Sequence, residues 1–169
     1  ANTDVTVNAT VYPSHPYNPA VVKPLQYLKV TTPTTNYTDT LGYFGISNTT
    51  ATSATIFLEG RWCKVVNNGV TPSFATTLNP GTNTVSFDNS ANLRERTVFY
   101  HVNIIHDYMK EQFPSFTTMD NPIETNVELT TGDCNAFYSG GANSINFYTT
   151  SNGCNALSLV SDVVYHEYG

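Results

Sequence analysis

The amino-acid sequence predicts an α+β fold: a β-rich N-terminal region, then a helix, a twisted sheet with an edge hairpin, and a second helix at the C-terminus. Three observations support this prediction. Short alternating or β-branched runs fill residues 1–91. Apolar residues adopt a helical spacing after Asn92. A second helical pattern occupies residues 156–169, with Val160, Val163 and Val164 on one face.

Residues 1–91 form the first of two predicted regions and have the pattern of β structure. Proline occurs at positions 13, 16, 19, 24 and 33, which argues against a helix there. We expect strands at 4–12, 25–31, 43–46, 54–58 and 82–87, separated by turn-forming Asn, Gly and Pro residues. The segment 38–44 (TDTLGYF) resembles the T-D-x-x-G-x-F turn of small β-sandwich modules similar to carboxypeptidase regulatory domains. A β-sandwich is therefore one candidate architecture for this region.

Residues 92–169 form the second predicted region, which begins with a helix at 93–113. Asn92 is suited to cap the N-terminus of this helix, and Pro114 marks its end. Its apolar positions follow helical steps of four, three and four, at Val98, Val102, Ile105 and Met109. His101 and His106 are five residues apart, about 140° around a helix, so they cannot form a same-face metal pair. We expect them to be surface or hydrogen-bonded helix histidines.

A β-hairpin is predicted after this helix. A short strand is expected at 126–129, and strands at 134–138 and 143–148 flank the turn-forming residues SGGA. Cys134 and Cys154 lie on either side of the hairpin, and the chain after the second strand must fold back to bring them together. We expect them to form a disulfide rather than remain free thiols, which leaves Cys63 free or buried.

Composition and charge exclude several classes of function. Only 12% of the 169 residues are charged, the net charge is −6, and the seven Lys and Arg residues are scattered, so no basic patch is available for nucleic acid. No apolar run approaches the roughly 20 residues of a membrane span. The abundance of Thr, Asn, Ser, Gly and Tyr is typical of a secreted, extracellular β-rich protein. Ala1 is followed by no signal-peptide pattern, which suits a processed or recombinant start.

The last four residues, His166-Glu167-Tyr168-Gly169, match the first four positions of the His-Glu-x-x-His motif of zinc peptidases. In that motif two histidines one helical turn apart bind zinc from the same face. The glutamate beside the first histidine takes a proton from the attacking water. An apolar, β-branched run leads into His166, as expected of a buried helix that delivers a ligand to a cleft. The second histidine would stand at position 170.

Three segments together resemble the fungalysin-like and thermolysin-like zinc metallopeptidases. Residues 99–108 (FYHVNIIHDY) are similar to the first helix of their catalytic domain. Residues 134–138 (CNAFY) and 145–148 (INFY) are similar to their active-site edge strand and hairpin, and residues 161–169 (SDVVYHEYG) to the start of their zinc-binding helix. The segments occur in the family's order and span less than half of the chain. The resemblance implies that residues 92–169 are an incomplete N-terminal lobe of such a catalytic domain.

The resemblance also implies roles for individual residues. His166 would be a zinc ligand, and Glu167 would be the general base that activates water for attack on a peptide carbonyl. Asn135 and Ala136 match the positions that bind the backbone of a protein or peptide substrate by strand addition. Asp162 matches a position that binds structural calcium in some thermolysin-like enzymes. The implied parent protein is a secreted zinc endopeptidase, with calcium as a second candidate cofactor.

Much of the family's machinery is absent from these 169 residues. The second zinc histidine, a glutamate ligand and the histidine that stabilises the tetrahedral intermediate should follow Gly169, in the C-terminal half of the same enzyme. Because catalytic zinc takes three protein ligands plus water, we expect this chain alone to be inactive and mostly zinc-free. The alternative is a non-catalytic extracellular binding or structural module, which the β-rich residues 1–91 alone would support.

Overall fold

The computed structural model describes residues 2–47 and 50–169, and it has the α+β architecture that the sequence predicts. The strands are β1 (Asn2–Val11), β2 (Val21–Pro24), β3 (Leu28–Thr31), β4 (Thr35–Tyr37), β5 (Tyr43–Ser47), β6 (Thr52–Gly60), β7 (Cys63–Asn67), β8 (Ser73–Leu78), β9 (Gly81–Ser86), β10 (Ile123–Leu129), β11 (Ala136–Ser139) and β12 (Ser144–Tyr148). The helices are α1 (Leu93–Gln112) and α2 (Ser161–Tyr168), and a 3-10 turn covers Leu157–Leu159. Within the described ranges, neither helix combines the length and apolar character that a bilayer crossing requires.

The first sheet is built around β1. This strand pairs antiparallel with β5 and β2, and parallel with β9. Its side chains alternate, so that Val5, Val7, Ala9 and Val11 are fully buried while the residues between them are partly exposed. The predicted strand at 4–12 is therefore confirmed, to within two residues at its ends.

The second sheet runs in the order β11-β12-β10-β7-β6-β3-β4, and β8 also pairs with β6. Strand β10 pairs parallel with both β12 and β7. Strands from residues 1–91 and from residues 92–169 therefore share one sheet, joined where β10 meets β7. The division into two regions at residue 91 stays a prediction. Strand β11, the first strand of the predicted hairpin, lies at one end of this sheet.

Helix α1 begins at the residue that the sequence predicts and ends one residue earlier. The Asn92 side chain accepts a hydrogen bond from the Glu95 backbone N–H, and the Glu95 carboxylate accepts one from the Asn92 N–H. This reciprocal pair satisfies two amide groups that a helix start otherwise leaves without partners. The predicted apolar face points inward: Val98 and Val102 are fully buried, and Ile105 and Met109 are half-buried.

The C-terminal helix is shorter than the predicted segment 156–169. Val160 has an extended backbone (φ −112°, ψ 113°), which separates the 3-10 turn from α2. The Ser161 N–H donates to the Ser14 carbonyl oxygen at 2.8 Å, and this bond holds the break against the segment that follows β1. As a result Val164 is buried and Val163 is half-buried, whereas Val160 lies outside the helix.

Four strands, β2, β4, β7 and β8, are not predicted from the sequence. Strands β2 and β4 are three or four residues long and lie at the ends of their sheets, and β8 pairs only with β6 among the described strands. Strand β7 lies inside its sheet, where it pairs with β10 some 60 residues later in the chain. These strands depend on hydrogen bonds from distant partners, which a local pattern does not reveal.

Candidate functional site

Helix α2 carries His166 and Glu167. Its buried side is formed by Val164 and Tyr168, four residues apart, which are 0% and 5% exposed. His166 is exposed and Glu167 is half-buried. The helix therefore packs through one face and leaves both side chains of the His-Glu pair accessible from outside.

His166 and Glu167 open into a cleft of about 380 Å³. The cleft is lined by Met119, Tyr138, His166, Glu167, Tyr168 and Gly169. Tyr138 belongs to β11, and Met119 belongs to the segment between α1 and β10. The His-Glu pair of α2 and the hairpin strand therefore border the same space, although 28 residues separate Tyr138 from His166 in the sequence.

Strand β11 is an end strand, and among the described strands it pairs only with β12. Ala136 lies opposite Phe147, and the Asn135 carbonyl oxygen accepts a hydrogen bond from the Tyr148 N–H at 3.3 Å. Ala136 is buried and Asn135 is exposed. The outer edge of an end strand carries backbone donors and acceptors to which an extended peptide can add.

The metal-binding capacity of the cleft is incomplete within the described residues. Across 2–47 and 50–169 there is no group of three His, Cys, Asp or Glu side chains that could hold a metal ion. A catalytic zinc takes three protein ligands. His166 supplies one accessible imidazole and Glu167 one carboxylate beside it, so the residues present fit one ligand position and the base position of a zinc site.

No known family model matches the chain, and no curated protein matches it at a significant level. The resemblance to zinc peptidases therefore depends on the three quoted segments and on the cleft that two of them border.

Asp162, the residue for which the resemblance implies calcium binding, lies in the first turn of α2 and is exposed. The Ser161 hydroxyl donates a hydrogen bond to its carboxylate at 3.3 Å. A carboxylate near a helix N-terminus is favoured by the helix dipole. This accounts for the position of Asp162 without a metal, and calcium binding stays a prediction.

The two histidines of α1 are buried, His101 with 1% and His106 with 2% exposure. The Nε2 atom of His101 lies 2.8 Å from the Tyr12 carbonyl oxygen, and its Nδ1 atom lies 2.8 Å from the Tyr165 hydroxyl. Because a carbonyl oxygen only accepts, Nε2 carries the proton and Nδ1 accepts from Tyr165. Burial lowers the pKa of His101, which favours this neutral form. The hydrogen-bonded alternative of the sequence analysis is confirmed, and the surface alternative is wrong.

His106 belongs to a polar cluster with Asp120 and Lys110. Its ring stacks on Trp62 with centroids 3.9 Å apart, and its Nε2 atom lies 2.9 Å from Asp120 Oδ1. Lys110 Nζ donates to Asp120 Oδ2 at 2.8 Å, and this bond is the main reason that the pKa of Asp120 is lowered. Burial lowers the pKa of His106. The cluster holds Asp120 through both carboxylate oxygens, and Asp120 follows Met119, one of the residues that line the cleft.

The Cys134–Cys154 disulfide predicted from the sequence is present, with Cα atoms 5.4 Å apart. Cys134 has φ +50°, so the chain turns there and β11 begins at Ala136, two residues after the start of the predicted strand 134–138. Cys63 is a free, buried thiol, as the sequence analysis allowed. Burial raises the pKa of Cys63 to about 12, which keeps this thiol protonated and unreactive at neutral pH.

Sequence reasoning did not find two residues that line the cleft, Tyr138 and Met119, or the hydrogen bond that joins His101 to Tyr165. Tyr138 could have been found, because it lies two positions after Ala136 and every second residue of a strand lies on the same face. Met119 lies in an irregular segment without a recognisable pattern. The hydrogen bond between His101 and Tyr165 joins residues 64 positions apart, and no local sequence pattern at either residue predicts it.

Proposed function

We propose that this chain is the N-terminal portion of a secreted zinc endopeptidase that hydrolyses peptide bonds through a zinc-activated water. The observation that carries the proposal is the shared cleft. His166 and Glu167, the two chemical positions of the motif, border the same space as Tyr138 of the end strand β11. A hydrolase of this kind needs its metal ligand, its base and its peptide-binding edge at one place.

Each of these residues has a chemical task in the proposed reaction. The His166 imidazole would bind the metal, and the Glu167 carboxylate would take a proton from the attacking water and pass it to the leaving amine. Bound zinc would supply a Lewis acid that makes the water acidic and polarises the scissile carbonyl. Because Glu167 directly follows His166, one short helix fixes both groups relative to each other.

The substrate-binding task falls to β11. An extended peptide would add to the outer edge of this strand, with its backbone hydrogen-bonded near Asn135 and Ala136. The exposed rings of Phe137 and Tyr138 would then contact the side chains of the bound peptide. Backbone pairing is indifferent to the identity of most substrate side chains, so this edge suits an endopeptidase that binds many sequences.

The remaining zinc ligands are proposed to come from the C-terminal half of the same enzyme, beginning with a histidine after Gly169. The proposal of secretion rests on the Cys134–Cys154 disulfide, because such bonds persist in oxidising compartments. The isolated 169-residue chain should bind zinc weakly and hydrolyse no peptide, since one imidazole cannot replace three ligands.

The test begins with the coding sequence of the source, read past the codon for Gly169. A histidine as the next residue, followed by a glutamate some tens of residues later, is the expected result. The longer protein should then cleave a quenched fluorescent peptide with zinc. Glu167→Gln should lower kcat by about 10² to 10⁴ while zinc stays bound, and His166→Ala should also lose zinc.

A matched control is Glu111→Gln, which changes an exposed carboxylate near the end of α1 in the same way. It should leave zinc content and hydrolysis at wild-type values. Any residue other than histidine after Gly169 contradicts the zinc proposal. So does zinc-dependent hydrolysis by the 169-residue chain itself, because its ligands would then differ from those proposed.

The second candidate is a non-catalytic extracellular β-rich binding or structural module. The observation that favours it is the run of strands β1 to β9 before α1, which is β-rich structure that contains no part of the His-Glu motif. In that case the sequence after Gly169 would supply no further ligands, and Glu167→Gln would alter no measured activity. The same two experiments therefore decide between the candidates.

A further inference from the structure

Helix α2 has no side-chain capping bond at its N-terminus, where Val160 is the N-cap. In proteins most of the stability of a helix comes from packing against the rest of the fold. The setting of α2, and with it the direction in which His166 points, must therefore come from contacts with the rest of the protein.

Two kinds of contact hold α2. Val164 and Tyr168 pack into the core, and the hydrophobic effect that buries them is non-directional. A hydrogen bond is directional. Among the described residues, the bond from the Tyr165 hydroxyl to His101 Nδ1 is the one side-chain hydrogen bond that joins α2 to another element.

His101 is a fixed acceptor for this bond. It is 1% exposed, and its other ring nitrogen donates to the Tyr12 carbonyl oxygen. The Tyr12 N–H donates to the Thr97 hydroxyl at 3.1 Å, and Thr97 lies one turn before His101 on α1. Two hydrogen bonds from neighbouring turns of α1 thus hold the Tyr12 backbone. The bond to Tyr12 also fixes the ring of His101, which in turn holds the Tyr165 hydroxyl.

We propose that His101 is a positioning residue for the His166–Glu167 pair and acts through Tyr165. The importance of this role for catalysis rests on the proposed function. With side chains, a helix has a radius of about 5–6 Å, so a rotation of about 10° moves a side-chain tip by about 1 Å. A misplacement of about 1 Å can lower an enzymatic rate about 100-fold. Tyr165 directly precedes His166, so fixing its ring restricts this rotation.

The direction of His166 can be measured in the 169-residue chain without zinc or catalysis. Substoichiometric Cu²⁺ bound at the exposed imidazole should broaden the NMR signals of Met119 and Tyr138, which line the same cleft. His166→Gln should abolish this broadening. Because the broadening falls with the sixth power of the distance from copper, a shift of about 1 Å at a separation on the order of 9 Å should change it about twofold.

Four variants separate positioning from general stability. Tyr165→Phe removes only the hydroxyl, and His101→Leu removes both ring nitrogens, so each should change the broadening about twofold or more. His101→Gln can still donate to Tyr12 and accept from Tyr165 and should keep the wild-type pattern. Ile56→Val lowers stability in β6, where Ile56 lies opposite Val30 of β3 and Phe74 of β8, none of which lines the cleft, and it should leave the pattern unchanged.

The result that overturns the proposal is a wild-type broadening pattern in both Tyr165→Phe and His101→Leu. An Nδ1–H tautomer of His101, detected in the ¹⁵N spectrum of the wild-type chain, would overturn it as well. Failure of the proposed function is a separate event, since it would be seen as a residue other than histidine after Gly169. That event would leave the copper measurement valid, because copper reports the direction of His166 alone.

Discussion

Removing the Cys134–Cys154 disulfide should destabilise the protein while leaving its fold intact. The bond joins the turn before β11 to the turn after β12, outside both strands. Asp133 also accepts hydrogen bonds from Ser151 and Asn152, so the two turns keep polar contacts when the sulfur atoms are gone. The double variant Cys134→Ser/Cys154→Ser therefore tests the cross-link more than the native contacts.

The expected magnitude follows from the length of the closed loop. The two cysteines are 20 residues apart. Closing a loop of this length removes about 11 cal/mol/K of entropy from the unfolded chain, which is about 3 kcal/mol at about 25 °C. With a urea m-value of about 2 kcal/mol/M, the unfolding midpoint should fall by about 1.5 M. The m-value itself should rise, because the unlinked unfolded chain exposes more surface.

Urea titration followed by circular dichroism measures both quantities. Wild-type protein reduced with dithiothreitol is the matched control, and its midpoint should agree with that of the double variant. Cys63 does not complicate the comparison, since it is buried and unbonded to another cysteine. Equal midpoints for the oxidised wild type and the double variant would refute the loop-entropy reasoning.

Two further predictions concern stability. Gly60→Ala should lower the free energy of unfolding by about 3 kcal/mol or more, because a Cβ atom there would lie 2.0 Å from the Tyr27 carbonyl oxygen. The control is Gly141→Ala, where a Cβ atom meets open space and the thermal midpoint should change little. Equal effects of the two substitutions would contradict the predicted clash. Burial lowers the pKa values of His101 and His106 in the folded state. Below the unfolded-state histidine pKa of about 6.5, the unfolded chain binds more protons than the folded protein. The free energy of unfolding should therefore fall by up to about 1.4 kcal/mol for each histidine with every pH unit by which the pH is lowered. Urea titrations between pH 7.5 and 5 measure this slope, and a flat profile would exclude neutral buried histidines.

The parts of the fold that the sequence predicts correctly are those with local causes. Helix α1 follows from its apolar spacing and from Asn92, whose side chain bonds within the first turn. Strand β1 follows from its alternation of buried and partly exposed residues. Strand β7 could not be predicted in the same way, because it is stabilised by parallel pairing with β10. The end of the predicted helix at 156–169 is likewise set from a distance, by the bond between Ser161 and Ser14.

The residues of the candidate site also divide into those that local sequence identifies and those that only the fold brings together. His166 and Glu167 are adjacent and match the first two positions of a known motif, so they are candidates on sequence alone. The disulfide was predictable from the extracellular composition and from the hairpin between the cysteines. Met119 lines the cleft, and its neighbour Asp120 is bonded to His106 and Lys110, which are 14 and 10 residues away in the sequence.

The pairing of β1 with β9 has a consequence for synthesis. Thr3 lies opposite Gly81 and Val7 opposite Val85, so each residue meets a partner 78 positions later. At about 5–20 residues per second, a ribosome needs about 4–16 s to make the missing neighbour. Until that neighbour is made, the apolar row Val5, Val7, Ala9 and Val11 lacks its parallel strand. The nascent chain thus passes through a stage at which a holdase chaperone, or a slow codon usage before β9, would change the yield of folded protein.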